Sequence, residues 1–377
     1  MLWKTRRVYL DRAAGATGNP SSPHEEGREA KRRLLEARRT IARLVEAQAD
    51  DVIFTGGATE ANALAILGAS HAWAARNGKA ARVLYLPSAH ASIVENAKMV
   101  ANYGGSAEQL PVKDMKVDVE ALRTRLTSDI ALVTMEAVCG ETGVVWNTRE
   151  VAAAIKKSGH GTLLHVDASQ APLTEKIARS HFGADLMTLD ASKVGNVRGI
   201  GALIAHRTIP LLPLYAGGGQ ERGLRPGSES PELAERFARA LLAVSETRTN
   251  FVSAATDMRE ELLALLAKRE LDGFFVNAGR EQAPHIVNIS LTGRDTDFLV
   301  ALLDDDGFAV STRSACETDS EEGSRAVSVL TGDSERAKST LRISWGPEVG
   351  RSELRRFAEA LGRAVAFVDS NARKGAL

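Results

Sequence analysis

The sequence predicts an α/β fold: a mostly parallel central sheet with helices on both faces, followed by a smaller α+β domain at the C-terminus. Three observations carry this. Short unbroken apolar segments alternate with segments of helical period from about residue 50 to 207, the pattern of a parallel sheet covered on both faces. The alternation changes texture after about residue 230. The chain also has 377 residues, more than one small core usually holds.

Taken in order, 50–55 is a strand and 59–78 the helix after it. Residues 81–88 form a strand and 91–105 a helix that ends in glycines. A helix at 117–126 precedes a strand at 130–138, and a helix at 148–159 precedes a strand at 162–169. Two further strands follow at 184–192 and 200–207. A long helix spans roughly 230–269 and breaks near Asn250. The remaining pieces are strands at 285–291 and 308–313 with the helix 295–307 between them, a strand at 339–346, and a terminal helix at 351–369. The boundary falls inside the long helix. This gives a large domain over 10–247 and a small one over 248–377, with residues 1–9 packing on the small one.

Composition excludes several classes. Lys+Arg and Asp+Glu both number 48, so bulk charge draws in neither nucleic acid nor a membrane surface. The basic residues between Arg28 and Arg39 are interleaved with glutamates and read as one solvated helix face. There is no internal repeat, no run of membrane-span length, and no apolar opening stretch of signal-peptide type. Two cysteines, Cys139 and Cys316, suit a reducing cytoplasm better than a disulfide framework.

In open parallel sheets the ligand site lies beyond the carboxyl ends of the strands, so the polar residues there carry the interest. "FTGGATEANA" (54–63) is a strand, a glycine turn and a helix start with Thr59. It suits a phosphate, and equally a plain turn with a helix cap. "HVDASQAP" (165–172) places Asp167 at a strand end, where it can face a ribose, a metal or a protonated ring nitrogen, or cap a helix. Lys193 follows the strand "ADLMTLDA". Alone it is a solvated charge; partly desolvated near an anion site, it is an amine nucleophile. The three together, in this order on one sheet, are what pyridoxal phosphate needs: a cradle for the phosphate, an acid for the ring nitrogen and a lysine for the Schiff base. "GGGQERGLRPGSESP" (217–231), with Arg222, Arg225 and Ser228, is either a further phosphate contact or a surface loop. Cys316, in the polar loop 311–324, is either a reactive thiol or a tolerated surface cysteine. Arg342, in "STLRISWG", suits a carboxylate held bidentately, or a surface ion pair.

These segments resemble the cysteine desulfurases of the class V aminotransferase branch of fold-type I pyridoxal-phosphate enzymes. The likeness runs from "VYLD" (8–11) to "LRISWG" (341–346). It is strongest in "GNPSSPHEEGREAK" (18–31), "IFTGGATEAN", "HVDASQA", "GGGQERGLRPGS", "SACE" (314–317) and "LRIS". The longer loop after Cys316 resembles the iron–sulfur assembly group. The resemblance implies that Lys193 is the Schiff-base lysine, Asp167 the ring-nitrogen partner and Gln170 a contact to the ring hydroxyl. It implies that Ala58 and Thr59 cradle the phosphate, that Ser228 reaches it across a homodimer, and that His90 stacks on the ring and moves protons. It further implies that the Cys316 thiolate attacks the sulfur of L-cysteine, with Arg342 on the substrate carboxylate. Alanine then leaves, and the persulfide passes to an iron–sulfur scaffold or a tRNA-thiolating enzyme.

The chain departs from the pattern in four places. Ser192 stands where the family has a histidine donating to the phosphate. Asp190 stands where it prefers Ser or Thr; if that carboxylate keeps its direction it faces a phosphate, and both are penalised. Cys139 stands where an asparagine touches the ring, and reads more simply as a small buried side chain. The N-terminal segment before "GNPSS" is short. These departures leave two other readings open: a pyridoxal-phosphate enzyme for selenocysteine or another amino acid, or a family member kept as a binding or scaffold partner.

Overall fold

The computed structural model describes residues 7–15, 18–312 and 323–375. Cys316 lies outside the described residues. Seven strands build the central sheet: β1 Val52–Thr55, β2 Arg82–Tyr85, β3 Ser106–Gln109, β4 Ile130–Glu136, β5 Leu163–Asp167, β6 Leu186–Asp190 and β7 Gly201–Ala205. Their spatial order is β1-β7-β6-β5-β4-β2-β3. The pairs from β6 through β3 are parallel. β7 runs antiparallel to both β6 and β1, because the loop 191–200 is too short to carry a crossover back to the other end of the sheet. Strand β4 is buried along its whole length and β3, at the edge, is not. This explains why the first is a largely apolar run and the second was not legible as a strand.

The helix after β1 runs from Ala58 to Asn77, with a π-helical stretch at Leu64–Gly68. Gly68 is required there, since a Cβ would lie 2.7 Å from the Leu212 carbonyl oxygen. The helix Glu25–Leu44 buries Ala30, Leu34, Ala37 and Ile41 at helical spacing. Ahead of it, Arg7 pairs with Glu26 and Tyr9 packs edge-on against His24.

The long helix is continuous over Pro231–Ala267, with no break at Asn250. Its first half places Ala234, Phe237, Ala238 and Leu241 in the core under the large sheet. Its second half places Phe251, Ala255, Met258, Leu262 and Leu266 in a second core. Residues 242–250 bridge the two with no buried side chain, so their polar character reflects solvent and not a helix end. The second core is covered by a three-stranded antiparallel sheet of β8 Phe274–Val276, β9 Ile286–Leu291 and β10 Thr340–Ser344. The strand read at 308–313 is not one: in the described part only Ser311 bridges, to Arg342. β8 and the short helices Arg325–Thr331 and Ser334–Lys338 were not legible in the sequence.

Candidate active site

Strands β4, β5 and β6 end side by side, and each of the three closes on an acid: Glu136, Asp167 and Asp190. Glu136 and Asp167 are direct neighbours in the parallel ladder. Beyond these ends lies a cavity of about 300 Å3, lined by Ala58, Thr59, His90, Cys139, Asp167, Gln170, Ser192, Lys193 and Arg342 among others. Nine sequence-chosen residues thus meet at one place. Ser228 does not join them in this chain; it lines a separate groove with Glu221 and Arg225. The two loop arginines are held by structural partners. Arg225 pairs with Glu60 at 3.0 Å, and Arg222 donates to the carbonyls of Asp50 and Ala205.

The small domain closes the cavity. Arg342, on β10, donates to the Gly140 carbonyl at 3.2 Å. Arg325, at the start of its helix, donates to the Ala89 carbonyl at 3.0 Å and also lines the space.

At the inner end, Asp167 is 7% exposed. Its oxygens take the Ser169 amide at 2.9 Å and the Asn62 side-chain amide at 2.7 Å. The same Asn62 nitrogen donates to the Ser92 hydroxyl at 2.8 Å, which lies 2.8 Å from His90 Nδ1. His90 Nδ1 also accepts the Ser92 amide and so caps the helix Ala91–Met99. A nitrogen that accepts from a backbone amide carries no proton, so the neutral ring holds its proton on Nε2.

Glu136 is the site residue that sequence reasoning missed. Burial first, and the neighbouring Asp167 carboxylate second, push its pKa up to about 8. One oxygen accepts the His90 amide at 3.2 Å. The other, with the Ser88 and Ser169 hydroxyls, is buried without a hydrogen-bond partner among the described residues. Cys139 is 2% exposed. Burial, then Glu136 and Glu141, hold its thiol well above the ordinary range, so it is a neutral thiol and not a nucleophile at neutral pH.

The outer end differs. Lys193 closes a single helical turn after β6 and is exposed. Its amine has no ion pair among the described residues. Asp190, half-buried, turns both oxygens onto nearby donors. Oδ2 accepts the Ala58 amide at 2.8 Å, and Oδ1 accepts the Ser192 amide at 2.8 Å and the Ser192 hydroxyl at 2.6 Å. Two glycines permit this approach. Gly57 has φ 148°, and a Cβ on Gly201 would lie 2.7 Å from the Gly57 carbonyl carbon.

The chain matches the Aminotransferase class-V family over residues 5–357. It belongs to that family, among the cysteine desulfurases. The mitosomal cysteine desulfurase of Encephalitozoon cuniculi is 32% identical over 333 residues, 87% of this chain and 76% of the relative. Cysteine desulfurase IscS 1 of Archaeoglobus fulgidus is 30% identical over 346 residues, 91% and 88% of the two chains. Among solved structures, DndA from Streptomyces lividans matches with a TM-score of 0.73 at 31% identity, covering 90% of this chain and 94% of that one. A NifS-like protein shares the fold with a TM-score of 0.85 at 24% identity, covering 93% and 92%.

Class-V desulfurases are pyridoxal-phosphate enzymes, so the cavity can be tested against that cofactor. The inner end fits a polar ring: it offers a buried carboxylate and polar atoms buried without partners among the described residues, and the exposed Lys193 amine, without an ion pair among them, borders it from the outer end. The phosphate end offers the Thr59 hydroxyl, while the Ala58 amide and the Ser192 donors are taken by Asp190. No group of three or more His, Cys, Asp or Glu among the described residues is placed to hold a metal ion.

Proposed function

We propose that the protein is a pyridoxal-phosphate-dependent cysteine desulfurase that converts L-cysteine to L-alanine. In this reading the sulfur is left as a persulfide on Cys316 and handed to an acceptor protein for iron–sulfur cluster or thio-tRNA synthesis. One observation carries the reading: the Lys193 amine without an ion pair shares a cavity with the buried Asp167 carboxylate and with Arg342.

Each side chain has a task set by its chemistry. Asp167 would face the cofactor's ring nitrogen, with Asn62 and Ser169 holding it in place. Gln170 and His90 would flank the ring, and Lys193 would hold the cofactor's aldehyde carbon. The bound cofactor supplies an electron sink for the charge left when the substrate's C–S bond breaks. Arg342 binds the substrate carboxylate and so fixes which bond lies over the ring. Lys193 and the Nε2 proton of His90 supply proton transfer at the substrate's Cα. The Cys316 thiolate takes the sulfur, which requires that it reach the cavity from its polar loop. Ser228 lies apart from the cavity of its own chain, so any role for it at the phosphate needs a second copy. We therefore assign a homodimer, in a reducing cytoplasm where both cysteines stay free.

Purified protein should show a visible absorption band that Lys193→Ala removes. L-cysteine should yield alanine and sulfide, and Cys316→Ala should abolish sulfide release. A band that survives Lys193→Ala rejects the cofactor assignment. Unchanged sulfide release in Cys316→Ala rejects the nucleophile.

A further inference from the structure

We propose that Asp190 fills the phosphate end of the cofactor site with the protein's own negative charge. The protein then recognises the ring and aldehyde of a pyridoxal cofactor while drawing little affinity from its phosphate. The inference rests on the cofactor reading above and concerns which form of the cofactor the site prefers.

Besides the Thr59 hydroxyl, three donors line this end, and these three point at one carboxylate. The Ala58 amide reaches Oδ2 at 2.8 Å, and the Ser192 amide and hydroxyl reach Oδ1 at 2.8 and 2.6 Å. No lysine or arginine forms an ion pair with Asp190 among the described residues. Arg225, from the glycine-rich loop, is committed to Glu60. The Asp190 charge therefore stands uncompensated beside the lysine that would carry the cofactor. Asp190, Ser192 and Lys193 together form the wall between the main cavity and a second, polar one that contains Gly56, Gly57 and Arg198.

A phosphate entering this end meets two costs. It must displace a carboxylate from amides that already have a partner, so each new hydrogen bond replaces an old one and adds little. It also brings like charge within a few ångströms of Asp190, in a site only partly open to water. Neither cost falls on pyridoxal without its phosphate, since its ring meets Asp167 and Gln170 at the inner end and its aldehyde meets Lys193, with no second anion brought to Asp190. Asp190 is thus a specificity-determining residue for the cofactor.

The test is equilibrium binding to the purified, cofactor-free full chain. Pyridoxal 5'-phosphate and pyridoxal are titrated separately and followed by visible absorbance and by tryptophan fluorescence. Wild type should bind the two within about tenfold of each other. Asp190→Ser should tighten pyridoxal 5'-phosphate by about tenfold or more and leave pyridoxal unchanged. Asp190→Asn removes the charge, keeps the side chain's size and can still accept one of these hydrogen bonds. It should shift the phosphate form in the same direction, which guards against misfolding of the serine variant. Wild type binding the phosphate form about a hundredfold or more tighter than pyridoxal, with both variants unchanged or weaker, overturns the inference and leaves the cofactor reading standing. Binding of neither compound overturns the cofactor reading, and this inference with it.

Discussion

The two ends of one cavity spend their polar groups in opposite ways. At the ring end, the Ser88 and Ser169 hydroxyls and one oxygen of Glu136 are buried without partners among the described residues. At the phosphate end, the Ala58 amide and both Ser192 donors are already satisfied by Asp190. A buried group without a partner gains nearly a full hydrogen bond when a ligand arrives, whereas a paired one only exchanges partners. The capacity for recognition therefore lies at the ring end, although the donors themselves are present at both.

Glu136 gives the largest handle on that contrast. Its pKa rises from 4.5 to about 8 on folding, so between those values the folded state holds more protons than the unfolded one. Its contribution is fully present below pH 4.5 and is lost as pH rises through about 8. At about 1.4 kcal/mol per unit, wild type should lose roughly 3–5 kcal/mol of stability to this group by pH 9. Glu136→Gln should remove that slope in urea unfolding of the cofactor-free protein. Parallel losses in both proteins between about pH 5 and 8 would show that another group carries it.

Asn62 comes next. It is fully buried and ties Asp167 to Ser92 through one amide nitrogen. Asn62→Leu keeps the branched shape but leaves a buried carboxylate oxygen without its donor, at a cost of about 2–4 kcal/mol. In a double-mutant cycle the cost should shrink when Asp167 is also changed to Asn. A cost that does not depend on residue 167 would mean the asparagine only fills space.

The smallest effect belongs to Ser192. Because its hydroxyl is given to Asp190, Ser192→Ala should change the affinity for pyridoxal 5'-phosphate by about threefold or less. In the Asp190→Ser background the freed hydroxyl should matter more. An equal effect in both backgrounds would break the picture of a self-occupied phosphate end.

Much of the site was legible because an apolar run that stops on a polar residue marks the end of a buried strand. Asp167 and Lys193 emerged in that way, and Arg342 came from a short strand in the other domain. Glu136 carries the same signal in "IALVTME", yet with the strand drawn to 138 it sat inside the run and not at its end. Asn62 gave no signal, since an asparagine on a helix says nothing about the carboxylate it meets 105 residues later. The strand read at 308–313 and the break read at Asn250 failed for a common reason. Local polarity there reflects what the segment packs against, and a single bridge to Arg342 or a solvent-facing span between two cores leaves no separate mark.

The sequence by itself determined the α/β layering and the order of the chemistry-bearing residues along it, because apolar periodicity and strand ends are local properties of the chain. It also showed that an acid stands at position 190. Where that acid points was decided only by tertiary structure. The amide it binds lies 132 residues away. The two meet because β1 pairs with β7 and β7 turns back on β6, with Gly57 and Gly201 letting the backbones come close enough. A carboxylate takes the nearest unsatisfied N–H groups, and which groups are nearest is a property of the folded sheet.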